Sequence, residues 1–221
     1  MFNVIRTYPA PDSIAKNQHN KEDILEALLP IFFEKCYLCE RDEIQDAEVE
    51  HFVPHEGDKL LKYAWENLYY ACSRCNSIKS NSHIDLLDCA DPTVDVGGLI
   101  SCLMPSVPNG NIIVEPVSQN PTTRTNNTVD LLNYCYNLEN TALRKISRES
   151  LFEKMWDYYS KLLLARQVLR NKSSGKTAKK EAEEIIESMM DVKHPFSIFW
   201  RYFYINDSFL VKNYPYLRSG F

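Results

Sequence analysis

Cys36-Tyr37-Leu38-Cys39 and Cys72-Ser73-Arg74-Cys75-Asn76, with Val49-Glu50-His51-Phe52-Val53-Pro54 between them, are the stretches whose reading decides the fold. Two Cys-x-x-Cys pairs can bring four soft thiolates from distant backbone onto one tetrahedral zinc ion. The loop closed by such a staple carries its own carboxylate, imidazole and amide groups. Glu48–Val53 reads as a short strand, with Val49, His51 and Val53 on one face and Glu50 and Phe52 on the other, stopped by Pro54. Asn67-Leu68-Tyr69-Tyr70 reads as a second strand running into Cys72, and a short helix is expected from Asn76, with Lys79 one turn on.

Outward from this segment, Pro9 and Pro11 argue against a regular element in an N-terminal arm that extends to about Asn20. A helix follows, capped by Asn20, with Glu22 and Asp23 at its positive end and Ile24, Leu25, Leu28 and Leu29 as its buried stripe. Pro30 is expected to bend or restart it. Between residues 85 and 124 the chain is irregular, with Asn109-Gly110 signalling a hairpin between Leu99–Met104 and Asn111–Val114. Beyond Thr125 the periodicity is helical: Val129, Leu132 and Tyr136 share a face, as do Phe152, Met155, Tyr159 and Leu162, then Ala182, Ile185, Ile186 and Met189. Ser173-Ser174-Gly175 separates two helices, and Pro195 starts another with Phe199, Tyr202 and Phe203 inward.

Seven cysteines, no signal-like N-terminal run and no apolar stretch near the roughly 18 residues that cross a bilayer predict a cytoplasmic chain without a membrane segment. Cys89, Cys102 and Cys135 stand apart from the paired motif and are expected in the core. A formal net charge of −5 argues against phosphate binding by the whole surface. The distribution is uneven: residues 36–91 hold five Lys/Arg against twelve Asp/Glu, whereas residues 144–180 hold eleven against three. The basic run is either a solvated helix face or a contact for phosphate or an acidic partner.

Cys36-Tyr-Leu-Cys39, Glu50-His51-Phe-Val-Pro54, Trp65-Glu-Asn67-Leu68 and Cys72-Ser-Arg-Cys75-Asn76-Ser-Ile-Lys79 together resemble the HNH, or ββα-metal, endonuclease family over roughly residues 31–83. Phosphodiester hydrolysis needs a base for water, and His51 can serve because an ordinary imidazole titrates near neutrality. The resemblance implies that Asn67 orients this imidazole or its backbone and that Glu50 and Asn76 hold a catalytic cation. Oxygen donors suit Mg2+ or Mn2+, while zinc belongs to the cysteines. Many members have Asp before the catalytic His and His at the last position; this chain has Glu50 and Asn76, which leaves His83, or His55, as a further ligand or phosphate contact. Lys79 would reach a DNA phosphate.

A narrower resemblance covers the remainder, through Thr128-Val-Asp-Leu-Leu-Asn133 and Leu138-Glu-Asn140-x-x-Leu143-Arg144. These resemble the Septu-type antiphage HNH nuclease subunits and their retron-associated relatives, which implies an ABC/SMC-like ATPase partner and DNA as substrate. The expected architecture is α+β: a zinc-stapled ββα-metal nuclease domain with its N-terminal helix over 1–95, an irregular hairpin connection over 96–124 and a mainly α-helical partner-binding region over 125–221. Two other readings compete. A noncatalytic zinc-stapled adaptor has no need for Glu50, His51, Asn67 and Asn76 together, and a stand-alone restriction or mobile-element nuclease should carry its own sequence-reading domain.

Overall fold

The computed structural model describes residues 1–108, 110–142 and 147–218. It is an α+β molecule built around the expected hairpin. Strand β1 (Ala47–His51) runs antiparallel to β2 (Leu68–Cys72), with Glu48 opposite Ala71, Glu50 opposite Tyr69 and His51 opposite Leu68. Every residue of β2 is buried, because helices and the preceding knuckle cover both its faces. Strand β1 stops at His51 rather than Val53, since the side-chain amide of Asn67 takes over the N–H and carbonyl of Val53.

Ahead of the hairpin, a short helix α1 (Asp12–Ala15) occupies part of the arm expected to be irregular. Pro11 sits at the position before its first turn, where a missing N–H costs nothing. Helix α2 (Glu22–Ile31) is preceded by Lys21 rather than capped by Asn20, and it runs through Pro30 to end one residue later, at Ile31. The chain leaves it through Phe33 and Glu34, both left-handed, at φ 53° and 60°. Inside the hairpin loop lies the four-residue helix α3 (Lys59–Lys62), capped by Asp58.

Helix α4 (Ser73–Lys79) starts three residues earlier than the sequence reading placed it. Cys72 caps it: its sulfur accepts from the Cys75 N–H at 3.4 Å, so the second knuckle is also the first helical turn. The ββα unit is complete at Lys79.

Helix α5 (Val96–Leu99) and strand β3 (Ile100–Leu103) follow, with β3 antiparallel to β4 (Ile113–Pro116). The strands of the expected hairpin are present; Asn109 lies outside the described residues. Helix α6 (Thr123–Asn137) is capped by Thr122 and buries Val129, Leu131, Leu132, Cys135 and Tyr136. Helices α7 (Glu149–Arg170) and α8 (Lys176–Met190) form an antiparallel pair turned at residues 171–175, and α9 (Ser197–Asn206) and α10 (Ser208–Asn213) close the fold. On α8, Ile185 is exposed although Ala182, Ile186 and Met189 are buried. No described helix is long and apolar enough to cross a membrane.

The helical half is not packed as a separate body. Leu131, Leu132, Tyr136, Phe199 and Trp200 belong to the same core as Tyr37, Leu38 and Tyr69. Buried polar groups reinforce the seam: Lys35 Nζ donates to the carbonyls of Val192 and His194 at 2.6 and 2.9 Å, and Arg74 donates to those of Cys135, at 3.3 Å, and Leu138. Lys154 on α7 lies 2.6 Å from both Asp42 and Glu43 of the first knuckle. Part of the basic run is thus spent on acid groups of the same chain; Arg144 and Lys145 lie outside the described residues.

Candidate metal centre and active site

The folding of β2 into α4 brings Cys72 and Cys75 against Cys36 and Cys39, and the four sulfur atoms lie within 4.8 Å of one another, all buried. Cys39 Sγ and Cys72 Sγ are 3.9 Å apart, close to the ~3.8 Å edge of a tetrahedron with 2.3 Å metal–sulfur bonds. Burial alone would raise the Cys36 thiol, but hydrogen bonds from Cys39, Cys72 and Cys75 hold it well below its ordinary value. Bonding to Cys36 and Cys72 pushes Cys39 well up, and bonding to Cys135 and Cys36 does the same to Cys75. One thiolate is shared by the neighbouring thiols; four together require a bound dication. The donor set therefore fits a structural metal ion. Among the described residues it is also the one His/Cys/Asp/Glu group tight enough to hold one.

Beside it, β1 and α4 face each other through a ladder of side-chain pairs. Every second residue from Asp46, just ahead of the strand, meets every third of the helix: Asp46 accepts from Ser73, Glu48 from Asn76 at 2.5 Å, and Glu50 from Lys79 at 2.7 Å. The last rung is the most enclosed. Glu50 is 4% exposed, its second oxygen accepts from Tyr37 at 2.8 Å, and Lys79, 0% exposed, also donates to the His51 carbonyl at 2.9 Å. Burial pushes the Glu50 carboxyl up to about 7, against the pull of Lys79 and Tyr37. Lys79 thus faces the protein interior as the counter-ion of Glu50, and Asn76 stands with Glu48.

His51 ends β1, half-buried. Its Nε2 lies 3.0 Å from the carbonyl of Lys62. A carbonyl only accepts, so Nε2 carries the proton and Nδ1 keeps the lone pair. Burial, with lesser contributions from His19, His55 and Lys62, holds the ring down at about 4, against the contrary pull of that carbonyl. The ring is neutral at pH 7. Among the described residues no hydrogen bond joins Asn67 to the ring; it clamps the loop that positions it, accepting from Val53 N at 2.7 Å and donating to the carbonyls of Val53 and Leu61 at 2.8 and 3.0 Å.

His83 follows α4, its backbone N–H donating to the Lys79 carbonyl at 3.3 Å. It packs 5.7 Å from the ring of Tyr134 and lines a cavity of about 690 Å³ with Ser82, Asp130 and Tyr134. His55 and, unanticipated from sequence, His19 instead gather at His51, with ring centroids 4.8 and 5.0 Å from it. No local motif marks His19, because it reaches the site through the path of the N-terminal arm.

The model of the HNH endonuclease family matches residues 36–82, which hold both knuckles, the hairpin and α4. The Septu protein PtuB of Bacillus thuringiensis is 38% identical over 72 residues, an alignment that covers 31% of this chain and 28% of that protein. The chain thus carries an HNH endonuclease family domain at residues 36–82.

Proposed function

We propose that the protein is a cation-dependent DNA endonuclease whose Zn2+ staple is structural and whose chemistry is centred on His51. The observation that carries this reading is the imidazole itself. Within the segment that matches the HNH family, it stands at the end of β1 with Nε2 committed to a carbonyl, Nδ1 unprotonated and a low basicity fixed by burial. Nδ1 takes a proton from water as the oxygen attacks phosphorus, the bond from phosphorus to the leaving oxygen breaks, and that oxygen is protonated from solvent. Asn67 holds the loop that fixes the ring.

A catalytic Mg2+ or Mn2+ would be held by Glu50 and Asn76, with Glu48 alongside. These hard oxygens line the β1–α4 seam and fit such a cation in donor type. When bound, it supplies the charge that offsets the developing negative phosphate and leaving group. For Glu50 to serve, the Lys79 ammonium must shift off its carboxylate; that ammonium is then the group closest to hand for a phosphate.

The protein works in the cytoplasm with an ABC/SMC-like ATPase resembling PtuA, as the nuclease subunit of a Septu-type antiphage complex. The likeness to PtuB supports this, and so does the acid excess of residues 36–91, which leaves DNA engagement to a partner. The test is cleavage of plasmid DNA with Mg2+ or Mn2+, by the chain alone and with the ATPase. His51→Ala is expected to lower the rate by at least ~10²-fold with zinc content and folding unchanged. A fully active His51→Ala chain would remove the assignment, and equal rates with and without the ATPase would remove the regulatory role.

A further inference from the structure

The N-terminal arm sends one side chain into the candidate active site. Its early residues are tied to the start of β2: Arg6 donates to the carbonyls of Leu68 and Glu66 at 3.0 and 3.3 Å, Tyr8 donates to Glu66 at 2.7 Å, and Trp65 donates to the Thr7 carbonyl at 3.0 Å. After α1, Asn17 adopts a left-handed φ of 57°, a conformation Asn tolerates better than most residues. That turn, with Gln18 N bonded to the Ser13 carbonyl at 3.0 Å, swings the chain back across the hairpin loop. His19 arrives there with its ring 5.0 Å from His51, 5.9 Å from Tyr63 and 6.4 Å from His55.

Three imidazoles in one place can be mere packing. Three observations argue for more. First, the His19 ring has no protein hydrogen bond among the described residues, and it is half-buried beside the group that would remove a proton from water. Second, Gly57 N donates to His55 Nδ1 at 3.1 Å, so the neutral His55 ring carries its proton on Nε2 and brings a second unspent donor to the cluster. Third, Lys62 belongs to the same patch: it lies 5.8 Å over the Tyr63 ring, is close enough to act on both His19 and His51, and has no carboxylate partner among the described residues. Imidazole N–H donors and one ammonium converge here with no carboxylate bonded to any of them, beside the Nδ1 lone pair that His51 keeps for the attacking water, on a chain of net charge −5. A ligand that completes them has to bring oxyanion acceptors.

We propose that His19, with Lys62, contacts the phosphodiester that His51 acts on, so that the N-terminal arm supplies part of the substrate site. This rests on the reading of His51 as the base, but the phosphate contact can be tested without any cleavage. The zinc-loaded full chain with 15N-labelled histidines is titrated with inorganic phosphate at constant pH and ionic strength. The His19 and His51 rings are expected to shift together and saturably, with His83, packed on Tyr134, unmoved; Lys62→Ala should weaken the saturation about five- to tenfold. A duplex oligonucleotide without divalent cation should lose binding by about the same factor in His19→Ala and keep most of it in His19→Asn, which retains a donor. Stationary His19 resonances, equal shifts at His19 and His83, or unchanged DNA affinity in a folded His19→Ala protein would each overturn the proposal. If phosphate moves His19 while no cation supports cleavage, the nuclease reading fails and the contact stands.

Discussion

Lys79 shows how far a residue's identity differs from its situation. In the sequence it is a lysine one turn beyond a Cys-Asn step, placed to meet DNA; in the fold it is a buried cation on Glu50. The difference comes from helix phase: α4 begins at Ser73, which turns position 79 toward β1. Removing one member of a buried pair leaves the other uncompensated, so Lys79→Ala should destabilise the protein by about 3–5 kcal/mol, measured by urea unfolding. Unchanged stability with weakened DNA binding would show instead that the ammonium's main task is the phosphate. His51 gives a second test at this scale. Its folded value of about 4 means that the neutral ring persists well below the ordinary histidine range, so with the cation saturating, which keeps Glu50 ionised, the acid limb of kcat/KM should fall near pH 4. An acid limb near the ordinary ~6.5 that stays there as the cation concentration is raised would mean an exposed ring or a different base. The chemistry-bearing residue types of the hairpin were legible because each has few roles at that spacing. His19 was not, since only the folded arm brings it there.

Among the elements, the first knuckle and the α8–α9 turn are joined by charge. Glu40, 0% exposed, lies 3.4 Å from Lys35 Nζ and 3.1 Å from the Met1 amine, and it accepts from Ser197 at 3.0 Å. Burial alone would raise its carboxyl; the two ammonium groups outweigh that and hold it at about 2. A depressed carboxylate stabilises the fold fully above its unfolded value of about 4.5, and that contribution is lost as pH falls towards 2. Glu40→Gln should therefore cost about 3–5 kcal/mol at pH 7, and the difference from wild type should shrink on acidification through this window. A pH-independent difference would exclude the charge as its source. Strands and helices were legible from periodicity here, whereas their ends were not. β1 stops where an Asn67 side chain intervenes, and α2 ends one residue after Pro30.

For the whole molecule, the shared core would make a metal ion held by the four cysteines a support for more than residues 36–82. A structural Zn2+ contributes on the order of 10–16 kcal/mol in small domains, comparable with the whole ~5–15 kcal/mol stability of a typical fold. Removing it, or replacing Cys39 by Ala, should lower the far-UV helical signal of α6 and α9 along with the hairpin, in one transition. A helical half that keeps its circular dichroism and melting point in the metal-free chain would show two independent units. The sequence marked a boundary near residue 125 from a change in periodicity, but periodicity does not report which helices share a core. What remains most exposed is the turn between α7 and α8, where Arg170, Lys172, Lys176 and Lys180 face solvent.

Arg74 sits between the two sulfur ligands of the second knuckle while its guanidinium holds the carbonyls at the end of α6. Any protein that grips the helices and displaces α6 therefore pulls on the ring of sulfur atoms. With cobalt bound by the four cysteines, the cluster would become a built-in optical strain gauge: engagement of a partner by the helices should be visible as a change in its colour.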